Sequence, residues 1–216
     1  MAENKPKMYV DYSHYGAPFS THFNIVSDGS GYKEEVLRKC DFLMLSGGAD
    51  INPEYYNQKR SSRSQAPREK NNVRDVHEER LALKAIELGK PIIGICRGAQ
   101  WLSILSGGTL VQHVTNHYTD HDTETYDGKT LDFTSAHHQM CNLRGIPHQL
   151  LAWTNHLSTL YLGGDDEPVK MDVEPEVFYI PSIKGFGIQG HPEFSTHMSP
   201  MNQWIRSQLD EIFFKG

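Results

Sequence analysis

Short apolar runs alternate along the chain with segments whose apolar residues recur at helical spacing. Runs typical of buried strands occupy positions 7–12, 23–26, 41–45, 91–95, 109–114, 129–134 and 185–189. Helical spacing is present over 32–39, after a predicted turn at 28–31, and over 72–88, 96–106 and 199–213. Strand-length apolar runs separated by amphipathic helices are typical of a parallel sheet that helices cover on both faces.

The second half of the chain carries a different pattern. Four short apolar runs, at 150–153, 159–162, 169–173 and 177–180, follow one another without helices between them. Runs in such a series pair as antiparallel hairpins. We therefore predict an α/β fold with a mainly parallel sheet, flanking helices and a small antiparallel extension. Since no repeat or linker divides the chain, we expect a single domain over residues 1–216.

The segment from Pro91 to Gln100 is the candidate centre of the molecule. An apolar strand ends at Cys96, which lies between Gly94 and Gly98, and a helical pattern follows at once. This is the arrangement of a nucleophile elbow, with a thiol in place of the serine hydroxyl. The sharp turn strains the backbone of the nucleophile and requires small neighbours. The N-terminus of the following helix should lower the pKa of the thiol, which predicts a nucleophile rather than an inert core residue.

Composition and charge argue against several other classes of protein. The formal net charge is −6, whereas a nucleic-acid binder needs a basic face. No apolar run reaches the length of a membrane span, and residues 1–7 lack the apolar region of a signal peptide. The three cysteines, Cys40, Cys96 and Cys141, are typical of a reducing compartment rather than of a disulfide framework. These features predict a cytoplasmic protein that binds neither nucleic acid nor membrane.

A thiol nucleophile needs a base, and the base needs an acceptor that orients it. Of the twelve histidines, His191 has the strongest local case, because a small residue and a proline hold it in a fixed turn. Glu193 is near enough along the chain to accept a hydrogen bond from the second imidazole nitrogen. The alternative base is His137 or His138.

Backbone N–H groups are the expected donors to the oxyanion. One is the N–H of Arg97, which directly follows the nucleophile. The other is that of Gly47 or Gly48, in the glycine pair after the strand at 41–45. Because glycine permits conformations in which N–H groups face a ligand, this pair is a candidate anion-binding turn as well as a strand end.

Two polar segments allow more than one interpretation. Segment 52–71 carries five basic residues and is either a solvated loop or a flap that meets an anionic substrate or a partner. His113, His117 and His121 recur at every fourth position, and three histidines can hold Zn²⁺. Since the residues between them are poor helix formers, we do not expect them on one helical face and predict no metal or cofactor.

Several sequence blocks, taken together, resemble a known family. Gly94 to Gln100, with Gly190 to Glu193 downstream, resembles the class I glutamine amidotransferase domain. Other blocks resemble its gamma-glutamyl hydrolase branch, the peptidase C26-like group: Ser46 to Tyr56, Arg74 with Asp75, Gly107 to Leu110, and Ser135 to Gln139. The resemblance extends from about Phe42 to Phe194.

This resemblance implies a flavodoxin-like fold and hydrolysis of the amide bond in a small-molecule gamma-glutamyl substrate, without a cofactor. It implies a catalytic triad of Cys96, His191 and Glu193 and a glutamyl thioester intermediate. It also implies a pocket for the glutamyl amino and carboxylate groups, built from Gln100, Ser135, Ala136, His137 and His138.

The leaving amine is less well defined by the resemblance. Gly190 stands where the family often has a bulky aromatic residue, and with Ala136 it predicts extra room for the leaving group. The basic segment 52–71 adds the expectation that this group is anionic. Two other functions stay open: a glutaminase subunit that passes ammonia to a separate synthase partner, and a binding or sensing domain without turnover.

Overall fold

The computed structural model describes residues 5–11, 13–27 and 33–215, and the turn predicted at 28–31 lies outside them. The strands are β1 (Lys7–Val10), β2 (Asn24–Val26), β3 (Phe42–Leu45), β4 (Ile92–Ile95), β5 (Thr109–Val111), β6 (His113–Val114), β7 (His121–Thr125), β8 (Thr130–Phe133), β9 (Met140–Asn142), β10 (Gln149–Thr154), β11 (Tyr161–Leu162), β12 (Glu174–Ile180) and β13 (Gly185–Ile188). The α-helices are α1 (Ser13–Gly16), α2 (Glu34–Arg38), α3 (Val73–Glu87), α4 (Arg97–Leu105) and α5 (Pro200–Leu209). None of the described helices combines the length and the apolar character that a bilayer crossing needs.

A nine-stranded sheet in the order β2-β1-β3-β4-β13-β12-β10-β7-β8 forms the centre of the fold. The five strands from β2 to β13 pair in parallel. The strands from β13 to β8 pair antiparallel and extend the sheet at one edge. The predicted α/β fold class, with its parallel sheet and antiparallel extension, is confirmed.

Two predicted strands differ from the structure. The run at 109–114 divides into β5 and β6, which pair with β9 and β11 in separate two-stranded sheets. The strand predicted at 169–173 is wrong. Pro168 makes only an isolated bridge, and Val169 and Met171 pack into a small apolar cluster. Because proline has no N–H to donate, a ladder does not continue through this segment.

Close packing of α4 on the sheet explains the two glycines around Cys96. A side chain at Gly94 would collide with the backbone of Gly98, and one at Gly98 would collide with the carbonyl of Leu45. The helix therefore begins directly above β3 and β4, and its first turn lies at the carboxyl edge of the parallel strands. Ligands of open α/β sheets bind at this edge.

A buried charge network joins α3 to α4 behind the elbow. The Arg97 side chain, 2% exposed, forms ion pairs with Asp75 and Glu78, which are both 1% exposed. Trp101 Nε1 donates a hydrogen bond to Glu78 Oε2 at 2.7 Å. We infer that Arg97 fixes the orientation of the helix that follows Cys96, a role that its position in the sequence did not reveal.

We expect Arg97→Met to lower the free energy of unfolding by about 3–5 kcal/mol, because it leaves the buried Asp75 without its guanidinium and removes one of the two that pair with Glu78. Urea unfolding measures this change. The control is Arg80→Ala, since Arg80 pairs with Glu34 while 64% exposed and surface pairs contribute little. Equal stability of Arg97→Met and the wild type would contradict the assigned role.

Candidate active site

Cys96 occupies a strained turn between β4 and α4. Its φ is 49° and its ψ is −104°, a conformation that residues other than glycine seldom adopt. Its N–H donates to the carbonyl of Ile188 at 2.7 Å, and its carbonyl accepts from the N–H of Gln100 at 3.0 Å. The backbone is therefore fixed on both sides, as the predicted elbow requires.

His191 reaches Cys96 because β13 lies beside β4. Ile188 pairs with Ile95, so the residues that follow both strands emerge at the same edge. The imidazole Nδ1 lies 2.6 Å from Glu193 Oε1, which leaves Nε2 for the thiol. The ring of Phe194 stacks on the imidazole, with the ring centroids 4.5 Å apart.

Opposing effects act on the charge of His191. Burial disfavours the imidazolium, but hydrogen bonds and charge interactions with Cys96 and Glu193 outweigh it and raise the pKa of His191 to about 10. The imidazole is therefore protonated at neutral pH. A protonated imidazole beside a thiol can stabilise a thiolate and can later donate a proton to a leaving amine.

The glycine pair lies next to this histidine. A side chain at Gly47 would come within 3.1 Å of His191 Cε1. Gly48 has a φ of 149°, which favours glycine, and a side chain there would collide with the guanidinium of Arg74. Arg74 Nη2 donates to the carbonyl of Gly47 at 2.7 Å. Because this bond fixes the peptide between the two glycines, the turn can present its backbone to a bound oxyanion.

Tyr15 is a residue of this region that the sequence did not single out. It lies on α1, and its hydroxyl is 3.0 Å from the position that a side chain at Gly47 would occupy. Burial, followed by the charges of Glu193 and Cys96, raises the pKa of Tyr15 to about 12. Its hydroxyl is thus a neutral donor beside the candidate site.

The turn at 135–139 is held by hydrogen bonds within the protein. Gln100 Nε2 donates to the carbonyl of Gln139 at 3.2 Å, and Ser135 Oγ donates to that of His117 at 2.7 Å. His137 is buried, and burial holds its pKa well below the ordinary value, so the ring is neutral. These side chains fix the shape of the turn.

His138 and Ala136 are placed differently from their neighbours in this turn. His138 Nε2 lies 2.9 Å from Asp50 Oδ1, and its ring stacks with Tyr118. Ala136 is exposed. The structure therefore pairs His138 with Asp50, whereas His191 follows β13 and emerges beside Cys96 at the same edge of the sheet.

The prediction of extra room at Gly190 is wrong. A side chain there would lie 2.6 Å from the carbonyl of Thr134, so glycine is required by the close approach of the backbone. Two of the five basic residues of segment 52–71 are also engaged within the protein. Lys59 pairs with Asp165 at 2.5 Å, and Arg60 donates to two carbonyls of its own segment. These contacts weaken the case for an anionic leaving group.

Comparison with known proteins identifies the family. The sequence model of the peptidase C26 family matches residues 20–152. The chain belongs to the peptidase C26 family. The matched range includes Cys96 but ends before His191, so the choice of base in this peptidase C26 protein rests on geometry.

Relatives of this peptidase C26 protein include glutamine amidotransferase-like proteins. It is 33% identical over 96 residues to one of Rickettsia prowazekii, a match that covers 44% of this chain and 33% of the relative. It is 31% identical over 106 residues to one subunit of the glutamine-hydrolysing GMP synthase of Picrophilus torridus, covering 48% and 50% of the two chains. For the first three relatives, the match spans only 25% to 40% of their length.

Solved structures show the same fold. A glutamine amidotransferase of Thermotoga maritima superposes with a TM-score of 0.56 at 15% identity, over 95% of this chain and 82% of that one. The peptidase C26 protein therefore has the fold of class I glutamine amidotransferases.

Proposed function

We propose that this protein hydrolyses a gamma-glutamyl amide, with Cys96 as the nucleophile, His191 as the acid and base, and Glu193 as the residue that orients His191. One observation carries the proposal. The strained turn at Cys96 lies beside the buried imidazole of His191. The Nδ1 of that imidazole lies 2.6 Å from Glu193 Oε1. This is the relation of nucleophile, base and orienting group that covalent acyl transfer needs.

The first half of the reaction forms a thioester. The Cys96 thiolate attacks the carbonyl carbon of the gamma-amide, and the N–H of Arg97, with that of Gly47 or Gly48, stabilises the oxyanion. His191 gives its Nε2 proton to the amine nitrogen as the C–N bond breaks. The amine leaves, and the glutamyl group stays on sulfur.

The second half releases glutamate. A water molecule attacks the thioester carbonyl, and His191, now neutral, removes its proton. The C–S bond breaks, which restores the thiolate and the imidazolium. Glu193 keeps Nδ1 protonated throughout, so that Nε2 always faces the reacting atoms.

We propose that the glutamyl head group is bound near Gln100 and the turn at 135–138. Amino and carboxylate groups must both be paired when they leave water. The side chains of Ser135 and His137 already form hydrogen bonds within the protein. We therefore expect the substrate to contact the backbone of this turn and the exposed Ala136.

A second candidate function is a glutaminase subunit. Similarity to one subunit of a glutamine-hydrolysing GMP synthase favours it. In that case the leaving amine is ammonia, and a separate synthase receives it. The same residues perform the same steps, and only the leaving group and the partner differ.

A substrate screen separates these possibilities. The purified chain is incubated with gamma-glutamyl amides of small amines and with glutamine, and glutamate release is measured. Turnover of substituted amides that exceeds turnover of glutamine supports the hydrolase. Activity on glutamine alone favours the glutaminase subunit, and no turnover by the wild type favours a binding domain.

A further inference from the structure

A cluster of histidines and glutamates is buried in the antiparallel extension, apart from the elbow. His121 lies on β7, and Glu174 and Glu176 lie on β12. His117 and His137 come from the loops before β7 and after β8. All five are less than one-tenth exposed, and His117, Glu174 and Glu176 are fully buried.

Each histidine of the cluster is oriented by an oxygen acceptor on one side of its ring. His121 and His137 place Nδ1 at 3.1 Å and 2.9 Å from a backbone carbonyl two residues away along the chain. A carbonyl only accepts hydrogen bonds, so both Nδ1 atoms carry the proton. His117 instead turns Nε2 toward Glu174 Oε1 at 3.5 Å. Histidines that bind a metal are oriented in this way by a carbonyl or carboxylate on the other nitrogen.

The remaining nitrogen atoms converge on one carboxylate oxygen. Glu176 Oε1 lies 3.3 Å from His121 Nε2, 3.4 Å from His117 Nδ1 and 3.9 Å from His137 Nε2. A ligand atom from each of His117, His137 and Glu176 lies within 4.8 Å of the other two. Tetrahedral ligands about 2.1 Å from Zn²⁺ are about 3.4 Å from one another, so small movements would bring this set around one ion.

Four polar atoms of the cluster lack a hydrogen-bond partner among the described residues. Both ring nitrogens of His117, Nε2 of His137 and Oε2 of Glu176 are buried without one. Lone pairs of neutral imidazoles that face a carboxylate repel it unless a cation or a proton lies between them. Among the described residues, Glu174 and Glu176 form ion pairs only with histidines. A divalent cation would balance the two buried negative charges.

We propose that this cluster binds one divalent transition-metal ion of the zinc class. The ligands are His117, His137 and Glu176, with His121 as the fourth, and Glu174 orients His117. Three imidazole nitrogens and one carboxylate oxygen suit Zn²⁺ better than the hard cations, which prefer oxygen. Among the three histidines at four-residue spacing, only His117 and His121 belong to this site, because His113 lies beside His138 instead.

The ion has a structural role in this proposal. The carbonyl of His117 accepts from the N–H of His137 at 3.0 Å and from Ser135 Oγ at 2.7 Å. The N–H of Gln189 donates to the carbonyl of Glu176 at 2.7 Å, two residues before His191. A metal at this position would therefore fasten the turn at 135–138 to the strands that lead to His191.

Metal analysis of the full chain without a polyhistidine tag tests the proposal. We expect close to one equivalent of zinc per chain by elemental mass spectrometry after dialysis. Removing it with a chelator should lower Tm, and Co²⁺ added to the metal-free protein should give the visible bands of a tetrahedral site, saturating at one equivalent. A protein that holds no metal, gains none from added Zn²⁺ or Co²⁺ and shows no change in Tm would overturn it, and protons shared between the histidines and glutamates would then balance the charges.

Variants locate the ion within the chain. Glu176→Gln and His121→Ala should each lose or strongly weaken the Co²⁺ bands, whereas the control His148→Ala should keep them. His121 is 9% exposed, at the edge of the cluster, and provides the test if Glu176→Gln does not fold. Cys96→Ala should bind metal like the wild type, so failure of the proposed hydrolysis leaves this result unchanged. Bands that survive in both cluster variants would place the metal elsewhere and contradict the proposal.

Discussion

Cys96→Ala should lower the rate of glutamate release by about 10⁴-fold or more, because no other group of the site can form the thioester. A glutamine-like diazoketone should modify one cysteine of the wild type, and peptide mapping should place the adduct on Cys96. The measurement compares kcat for the wild type and the variant on the best amide of the substrate screen.

Burial alone does not single out this cysteine. Cys40, Cys96 and Cys141 are all buried. Cys141 contacts Gln189 Oε1, and burial raises its pKa well above the ordinary value, so it is an unreactive thiol. Cys141→Ala is therefore the matched control and should keep kcat. An adduct on Cys40 or Cys141, or retained turnover in Cys96→Ala, would refute the assignment.

His191→Ala should lower kcat by about 10³-fold or more, since the variant can neither stabilise the thiolate nor protonate the amine. Glu193→Gln should cost less, because it changes only the orientation and charge environment of the ring. The control is His148→Ala, which removes a histidine outside the site. A wild-type rate in His191→Ala together with a loss of activity in His138→Ala would show that the other histidine is the base.

The raised pKa of His191 determines how kcat/KM and the stability of the fold should change with pH. The imidazolium persists until the pH reaches about 10, so the alkaline limb of kcat/KM should lie near there rather than near 6.5. The interactions of protonated His191 with Cys96 and Glu193 also stabilise the folded protein. This stabilisation is fully present at pH values below 6.5, the ordinary pKa of histidine, and is lost as the pH rises through about 10. Glu193→Gln should move the limb toward neutral pH. Because the substrate's amino group also titrates in alkaline solution, the shift between the two proteins is the decisive measurement.

Local features of the fold were predictable because their cause is local. Two glycines around Cys96, an apolar strand before it and a helical pattern after it specify the elbow with residues that are close along the chain. Asn72 caps α3 through a hydrogen bond to the N–H of Asp75, at the predicted start of that helix. The alternation of strands and helices likewise predicted the parallel half of the sheet.

Features that depend on distant residues were not predictable in the same way. The prediction at Gly190 considered only the space for a substrate, whereas the carbonyl of Thr134 fills that space. The spacing of His113, His117 and His121 was interpreted only as a possible helical face. In the structure, β12 pairs with β10 and β10 pairs with β7, and this sheet pairing brings His121 close to Glu176. Tyr15 reaches the site through the packing of α1, for which the sequence carries no motif.

The pairing of β4 with β13 has a consequence for how the protein acquires its chemistry. Ile95 and Ile188 are far apart along the chain, and contacts of such separation form slowly because a long loop must close first. During synthesis the thiol of Cys96 leaves the ribosome well before His191 exists. The nascent elbow therefore has no imidazolium beside its sulfur, and the proposed hydrolysis requires that β13 has entered the sheet.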